Sequence, residues 1–314
     1  MPGIGIVTNP NSRRNRRSPE FVRRLGYILG SDEDRHEMTR RPDDIRIVAE
    51  RFKEHAVDIL ALNGGDGTNH VTLTTFIDVY GSTPLPKIAF LRGGTMNTIS
   101  NAIGIKGTPG KILLNISEKY HLGIPFELSE RDTLCVEYED KRQYGFIFGN
   151  GVIANFLDAY YATGNPSPLI ASKVLAAAIL QAPFKGPLAA KMFEPFRARV
   201  SIDGQVLDAQ EFSAVVASTI EQIGLGFRPF VRCRERPGSF NLLRIHTGPL
   251  GFALELPRIR LGQLPDPTKV PSHVCERALF ESDAPIPFTI DGDMHVAQGK
   301  VELSCGPRLQ IIVK

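Results

Sequence analysis

One pattern, used twice, limits what this chain can fold into. The apolar run "DILAL" (58–62) stops at Asn63 and passes into "GGDGTNH" (64–70). The run "KIAFL" (87–91) passes in the same way into "RGGTMN" (92–97). Apolar runs that do not alternate are buried on both faces, as the strands of a parallel sheet are. Parallel strands need crossover helices. "DIRIVAERFKEH" (44–55) has the spacing of one, with Ile45, Ile47, Val48 and Phe52 as its apolar positions. "GIGIVTNPNS" (3–12) adds a strand that meets a turn at Asn9-Pro10, and a charged stretch with helical spacing follows at 20–29. Strand, tight loop and helix, repeated, predict a three-layer α/β domain.

The pattern changes near residues 125–130. "LCVEYED" (134–140) and "QYGFIFGNGVIANF" (143–156) read as strands, and 172–182 reads as a helix. Five further short apolar runs follow, with turn signals at Asp203-Gly204 and Asp291-Gly292. They predict an antiparallel β-sandwich. The expected domains are 1–127, to which a last strand at 306–314 returns, and 128–305. A chain of 314 residues with 42% hydrophobic content can bury the cores of both.

Charge and cysteines narrow the setting. A net charge of +3 does not argue for nucleic acid. Arg13, Arg14, Arg16, Arg17, Arg23 and Arg24 crowd one segment, either as a solvated helix face or as a patch facing phosphate or anionic lipid. No aromatic residues interleave the first four arginines, so a nucleic-acid reading is not favoured. Cys135, Cys233, Cys275 and Cys305 form no CxxC pair and read as reduced thiols of a cytoplasmic protein. Near the N-terminus the arginines follow the apolar run, the wrong order for a secretion signal. The greasiest stretch, "VLAAAILQA" (174–182), is too short to span a bilayer.

The glycine loops suggest the chemistry. Ligands of open α/β sheets sit beyond the C-terminal ends of the strands. Glycines there let another molecule approach the backbone, and exposed N–H groups hold anions. Phosphates suit such a loop, yet Asp66 would repel them. Asp66 therefore serves a cation, accepts a proton, or merely caps the helix it begins. Thr95 has a hydroxyl to offer a phosphate, and Asn97 is placed to bridge the loops or touch a nucleotide. Capping is again the plain alternative for both. No GxxxxGK[ST] loop is present, so the site is not of the Walker type.

Four motifs carry a resemblance: "NPNS" (9–12), "GGDGT" (64–68), "GGTMN" (93–97) and "IDGD" (290–293). In this order and spacing the chain resembles the diacylglycerol kinase catalytic-domain family, which includes bacterial lipid kinases and the sphingosine and ceramide kinases. The resemblance implies an N-terminal α/β domain of the phosphofructokinase and NAD kinase type that binds ATP and Mg²⁺, and a C-terminal β-rich domain for the lipid. It implies catalytic roles for Asp66 and Asp293, with either one taking the proton of the lipid hydroxyl, and a metal-side role for Asp66. It implies nucleotide contacts from Asn9, Pro10, Asn11, Ser12, Arg13, Thr39, Gly64, Gly65, Gly67, Thr68, Asn69, His70, Gly94, Thr95 and Asn97. For His70 a satisfied, capping histidine is the plain alternative.

Several positions depart from the family pattern. Arg13 and Arg14 replace small residues, and Arg92 replaces a proline. Val71, Thr98 and Pro237 stand where acids are expected. The resulting expectation is an ATP-dependent lipid kinase. The alternatives are a relative that binds nucleotide or lipid without transfer, and a soluble kinase acting on NAD. The expected partners are a lipid alcohol and a membrane surface met peripherally, with no nucleic acid; a homodimer is left open. Residues 174–193, with Lys185 and Lys191, read first as an ordinary core helix, and a bilayer-facing segment is the alternative.

Overall fold

The computed structural model describes residues 3–29, 36–164, 167–184, 186–207 and 211–314. Lys185 lies outside the described residues. The chain divides into two units, Met1–Arg131 with Pro307–Lys314, and Asp132–Gly306.

The first unit runs β1 (Ile4–Thr8), α1 (Arg13–Arg17), α2 (Pro19–Ile28), β2 (His36–Met38), α3 (Pro42–Glu54), β3 (Ile59–Asn63), α4 (Asp66–Tyr80), β4 (Lys87–Phe90), α5 (Thr98–Ala102) and α6 (Pro109–His121). Its strands are parallel in the order β2-β1-β3-β4. Ile311, near the end of the chain, pairs in parallel with Ile88 of β4. All five residues of β3 are buried, which is why the run 58–62 shows no alternation.

Helices cover both faces. On one, Leu25 and Leu29 with Leu113 and Ile116 of α6 pack against Ile4, Ile6, Ile59 and Ala61. On the other, the Phe52 ring of α3 lies so close over β1 that a Cβ on Gly5 would come within 2.3 Å of it. Proline opens α2, α3 and α6, where its missing N–H costs nothing.

The second unit follows: β5 (Leu128–Tyr138, which begins in the first unit), β6 (Lys141–Gly145), β7 (Ile147–Asn150), α7 (Val152–Tyr161), α8 (Pro168–Gln181), α9 (Pro187–Met192), β8 (Phe196–Arg197), β9 (Arg199–Ile202), β10 (Gln205–Val206), β11 (Glu211–Phe212), β12 (Ala214–Ser218), β13 (Phe240–Ile245), α10 (Pro249–Arg260), β14 (Ser272–Cys275), β15 (Arg277–Glu281), β16 (Ile286–Ile290), β17 (Asp293–Ala297) and β18 (Lys300–Ile312, ending in the first unit). One antiparallel sheet has the order β14-β13-β12-β7-β16-β17. A second set pairs antiparallel as β10-β9-β15-β18, with β5 pairing β18 and β6, and β8 and β11 form a separate antiparallel pair. The inner faces of the first two share one core. Phe148, Phe240, Leu242 and Phe288 come from the first sheet, and Val200, Phe280, Val301 and Leu303 from the second. The expected sandwich is present.

Two local expectations need correction. The stretch 143–156 is not all strand: β7 ends at Asn150 and α7 begins at Val152. Gly151 makes the break at φ 51°, where an added Cβ would lie 2.1 Å from the Ser213 carbonyl oxygen. The segment around α8 is not an ordinary core helix either. Within α8 only Ala171 and Ala178 are buried. Leu180 is 74% exposed and Phe184, just beyond the helix, 85%. No disulfide joins the four cysteines, of which Cys135, Cys233 and Cys275 are buried. Among the described residues no helix is long and apolar enough to cross a membrane.

Candidate functional site

Three loops leave the C-terminal ends of β1, β3 and β4, which are neighbours in the sheet. Side chains tie them together. The Asn9 amide donates to Thr68 Oγ1 at 2.9 Å, joining the first loop to the second. The Ser12 hydroxyl donates to the Gly93 carbonyl at 3.1 Å, joining the first to the third. Asn9 Oδ1 also accepts the Asn11 N–H at 2.8 Å, a turn that asparagine commonly makes. Thr39, after β2, donates its backbone N–H to the Thr8 carbonyl at 2.9 Å.

The glycines are required by contact. A Cβ on Gly94 would lie 2.3 Å from the Gly65 Cα, so the second and third loops touch backbone to backbone. A Cβ on Gly93 would lie 2.5 Å from Asn63 Oδ1 and 2.9 Å from the Gly64 nitrogen. One on Gly64 would strike the Thr68 side chain at 2.4 Å.

Asp66 is the first residue of α4, and Gly65 holds the cap position. The Asp66 side chain reaches across to the next helix. Its Oδ2 accepts the Thr98 N–H at 2.9 Å, and its Oδ1 the Ile99 N–H at 3.5 Å. The carboxylate thus stands at the start of both α4 and α5, where helix dipoles favour negative charge. Asn97 has φ 49° and precedes α5, but its amide closes onto Gly94 instead, donating to the carbonyl at 3.1 Å and accepting the N–H at 3.2 Å. Thr95 is exposed, and Gly67 and Thr68 lie half-buried in the first turn of α4. Asn69 and His70 are buried beneath them. Asn69 Oδ1 has no hydrogen-bond partner among the described residues.

Arg92 sits between β4 and the glycines at φ 60°. It donates to Asn101 Oδ1 at 2.7 Å and to the Ile105 carbonyl at 2.6 Å. Burial and then the Arg14 charge lower its pKa, while Asp66 opposes them.

Asn15 was not singled out in the sequence. In the midst of the arginines it is buried, and its amide donates to the carbonyls of Asn9 at 2.8 Å and Asn63 at 2.9 Å. It pins the ends of β1 and β3 together. The signal available was one asparagine inside "RRNRR".

In the second unit, Asp291-Gly292 forms the two-residue turn between β16 and β17, with φ 51° and 98°. Both values are positive, as hairpin turns with Asp-Gly prefer. The buried Asp291 carboxylate accepts the N–H groups of Phe146 at 3.0 Å and Ile147 at 2.9 Å. Asp293 starts β17, half-buried and paired with Ile290. The Tyr161 hydroxyl donates to the Gly292 carbonyl at 2.9 Å, holding the turn next to Asp293.

A three-layer α/β unit with interlocked glycine loops at adjacent strand ends, followed by an antiparallel sandwich, defines the class of fold. Within it, residues 4–124 match the model of the diacylglycerol kinase catalytic domain family. The whole chain is similar in fold to a diacylglycerol kinase from Bacillus anthracis str. Sterne, with a TM-score of 0.65 at 16% identity, covering 100% of this chain and 97% of that one. Two further solved structures from that organism give TM-scores of 0.70 and 0.69 at 15% and 17% identity, with the same coverage. Among curated proteins no sequence matches the chain significantly.

Proposed function

We propose that the chain is an ATP-dependent lipid kinase that transfers the γ-phosphoryl group to the hydroxyl of a lipid alcohol such as a diacylglycerol or a sphingoid base. The observation that carries this reading is the backbone contact of Gly65 with Gly94 beside Asp66, within residues that match the diacylglycerol kinase catalytic domain model. Side-chain-free loops at strand ends suit a triphosphate, whose oxygens take hydrogen bonds from backbone N–H groups. Asn9, Ser12 and Thr68 fix the loops, and Arg13, Thr39, Thr95 and Asn97 line the nucleotide in this reading.

The lipid oxygen bonds to the γ-phosphorus as the bond to the ADP oxygen breaks, and the hydroxyl proton passes to a carboxylate. Asp66 and Asp293 are the two candidates. A carboxylate is a weak base for an alcohol, so the proton leaves late in a loose transition state, and orientation of the hydroxyl is the larger contribution. Magnesium, when bound, offsets the charge on the transferring phosphoryl oxygens. The donor set suits that ion only sparingly: among the described residues no three His, Cys, Asp or Glu side chains gather. Asp66 would be its one protein carboxylate, with phosphate oxygens and water as the other ligands.

The bilayer-facing surface in this reading is built by α8, residues 182–184 and α10, which pack on one another and expose Leu169, Leu180, Phe184, Leu250 and Leu254. Lys173 is exposed on α8, and Lys191 at the end of α9, to meet headgroups. Co-sedimentation with phosphatidylcholine–phosphatidylglycerol vesicles should fall when Leu180 and Phe184 are both changed to serine; unchanged binding removes this surface from the account.

Val71, Thr98 and Pro237, standing where acids are expected, favour the second reading, a family member that binds nucleotide or lipid without transfer. ATP that raises the melting temperature while no lipid alcohol is phosphorylated would select it. Absence of any ATP-dependent shift would remove the kinase reading and the nucleotide-binding form of the second.

A further inference from the structure

The half-buried Arg244 on β13 has no carboxylate partner among the described residues. The one hydrogen bond of its side chain among the described residues runs from Nε to His273 Nε2 at 3.1 Å. The terminal nitrogens of its guanidinium are therefore uncommitted. The bond requires the His273 Nε2 to be an acceptor, so the ring is neutral with its proton on Nδ1.

A second imidazole joins them. Alternation along β13 puts Arg244 on the face of Phe240 and Leu242, the register of β14 puts His273 opposite Leu242 on that same face, and His246 follows directly after the strand. His246 is exposed, with its ring 5.1 Å from the Phe212 ring. Arg232 also borders this edge, donating to the Ser272 carbonyl at 3.1 Å. It is neutralised by Glu235, which it meets through Nε at 2.7 Å and a terminal nitrogen at 2.9 Å. Arg244 has no such relief.

The electrostatics agree with the geometry. Burial comes first in lowering the pKa of Arg244, His246 and His273, and the neighbouring arginine charge lowers both histidines further. No anion of the protein offsets this group of cation-capable side chains among the described residues. An ordinary packing arginine at a sheet edge keeps its head in water or on a carboxylate. This one is held by a neutral imidazole, with its fork left open to a planar or tetrahedral oxyanion.

We propose that Arg244, His273 and His246 form a binding site for a phosphate group, at the β13–β14 edge of the sandwich. The phosphate is borne by a lipid headgroup or is free in solution. The Arg244 fork takes two of its oxygens, His246 approaches from the open side, and His273 fixes the guanidinium. The site is independent of the glycine loops, and its test needs no kinase activity.

The test uses the full chain. Inorganic phosphate is titrated calorimetrically into the wild type, R244Q, H246Q and the control R260Q. H246Q alters an exposed side chain and keeps the test valid if R244Q folds poorly. Co-sedimentation with phosphatidylcholine vesicles, with and without phosphatidic acid, runs in parallel. The proposal expects phosphate binding that weakens by at least about tenfold in R244Q and measurably in H246Q, with R260Q unchanged. Vesicle binding that depends on phosphatidic acid and on Arg244 identifies a headgroup as the source. Phosphate binding without it identifies the free ion. No binding of either probe, or binding that R244Q and H246Q leave intact, overturns the proposal.

Discussion

The Asp66 carboxylate accepts the backbone N–H of Thr98 at 2.9 Å, across 32 positions of sequence. One side chain therefore sets the second glycine loop against the start of the helix that follows the third. Thr98 stands where resembling kinases carry an acid. Here it serves Asp66 through its backbone, which any residue supplies.

The loop contact makes an asymmetric prediction. Gly94→Ala forces a Cβ to within 2.3 Å of the Gly65 Cα, and backbone must move. Gly65→Ala meets Gly94 only at 3.4 Å, and Gly65 has an extended φ of −91° that alanine adopts freely. Gly94→Ala should abolish ATP-dependent thermal stabilisation, while Gly65→Ala retains most of it. Equal behaviour of the two variants contradicts the close-approach argument.

Asn15 is a structural anchor whose loss should be costly. Asn15→Ala leaves the Asn9 and Asn63 carbonyls without its amide in a buried setting. Both carbonyls keep a backbone donor, Ser12 N–H and Asn9 N–H, so chemical denaturation should show a loss of about 1–3 kcal/mol, that of two hydrogen bonds. Arg16→Ala, next in sequence and exposed, should change stability by less than about 0.5 kcal/mol.

Burial lowers the pKa of His36 from 6.5, and its Nε2 lies 3.0 Å from Thr8 Oγ1. The unfolded chain therefore takes up a proton before the folded one does. Stability from this group is complete above about pH 6.5 and falls as pH drops toward the lower folded value. His246 and His273 act in the same direction. Urea denaturation from pH 7.5 to 5 should show declining stability, and His36→Gln should flatten part of the decline. A slope that His36→Gln leaves unchanged assigns the effect elsewhere.

The α/β unit was legible because burial on both faces leaves an unbroken apolar run, as in β3, and glycine loops follow β3 and β4. The sandwich was legible in outline from short apolar runs and the Asp-Gly turns. The break at Gly151 was not, because Val152, Ile153 and Phe156 suit a strand or an amphipathic helix equally. What separates the two is the crossing of the Ser213 carbonyl, a contact across 62 residues. The exposure of Leu180 and Phe184 was hidden for a related reason: apolar composition alone does not say which face is covered. Asp66 was recognisable as important, while its bond to Thr98 depends on how two loops meet. Asn15 escaped notice because its value lies in two carbonyls distant from it in sequence.

The kinase assignment is tested most directly by incubating purified protein with γ-labelled ATP, Mg²⁺ and a panel of lipid alcohols, beside Asp66→Asn. Asparagine keeps an oxygen for the Thr98 N–H, so the variant should melt within a few degrees of the wild type. The account predicts a labelled phospholipid from the wild type and at least about a hundredfold less from Asp66→Asn, as for loss of a group that acts in the transition state. No labelled lipid from any alcohol, or near-full activity in a folded Asp66→Asn, would contradict it.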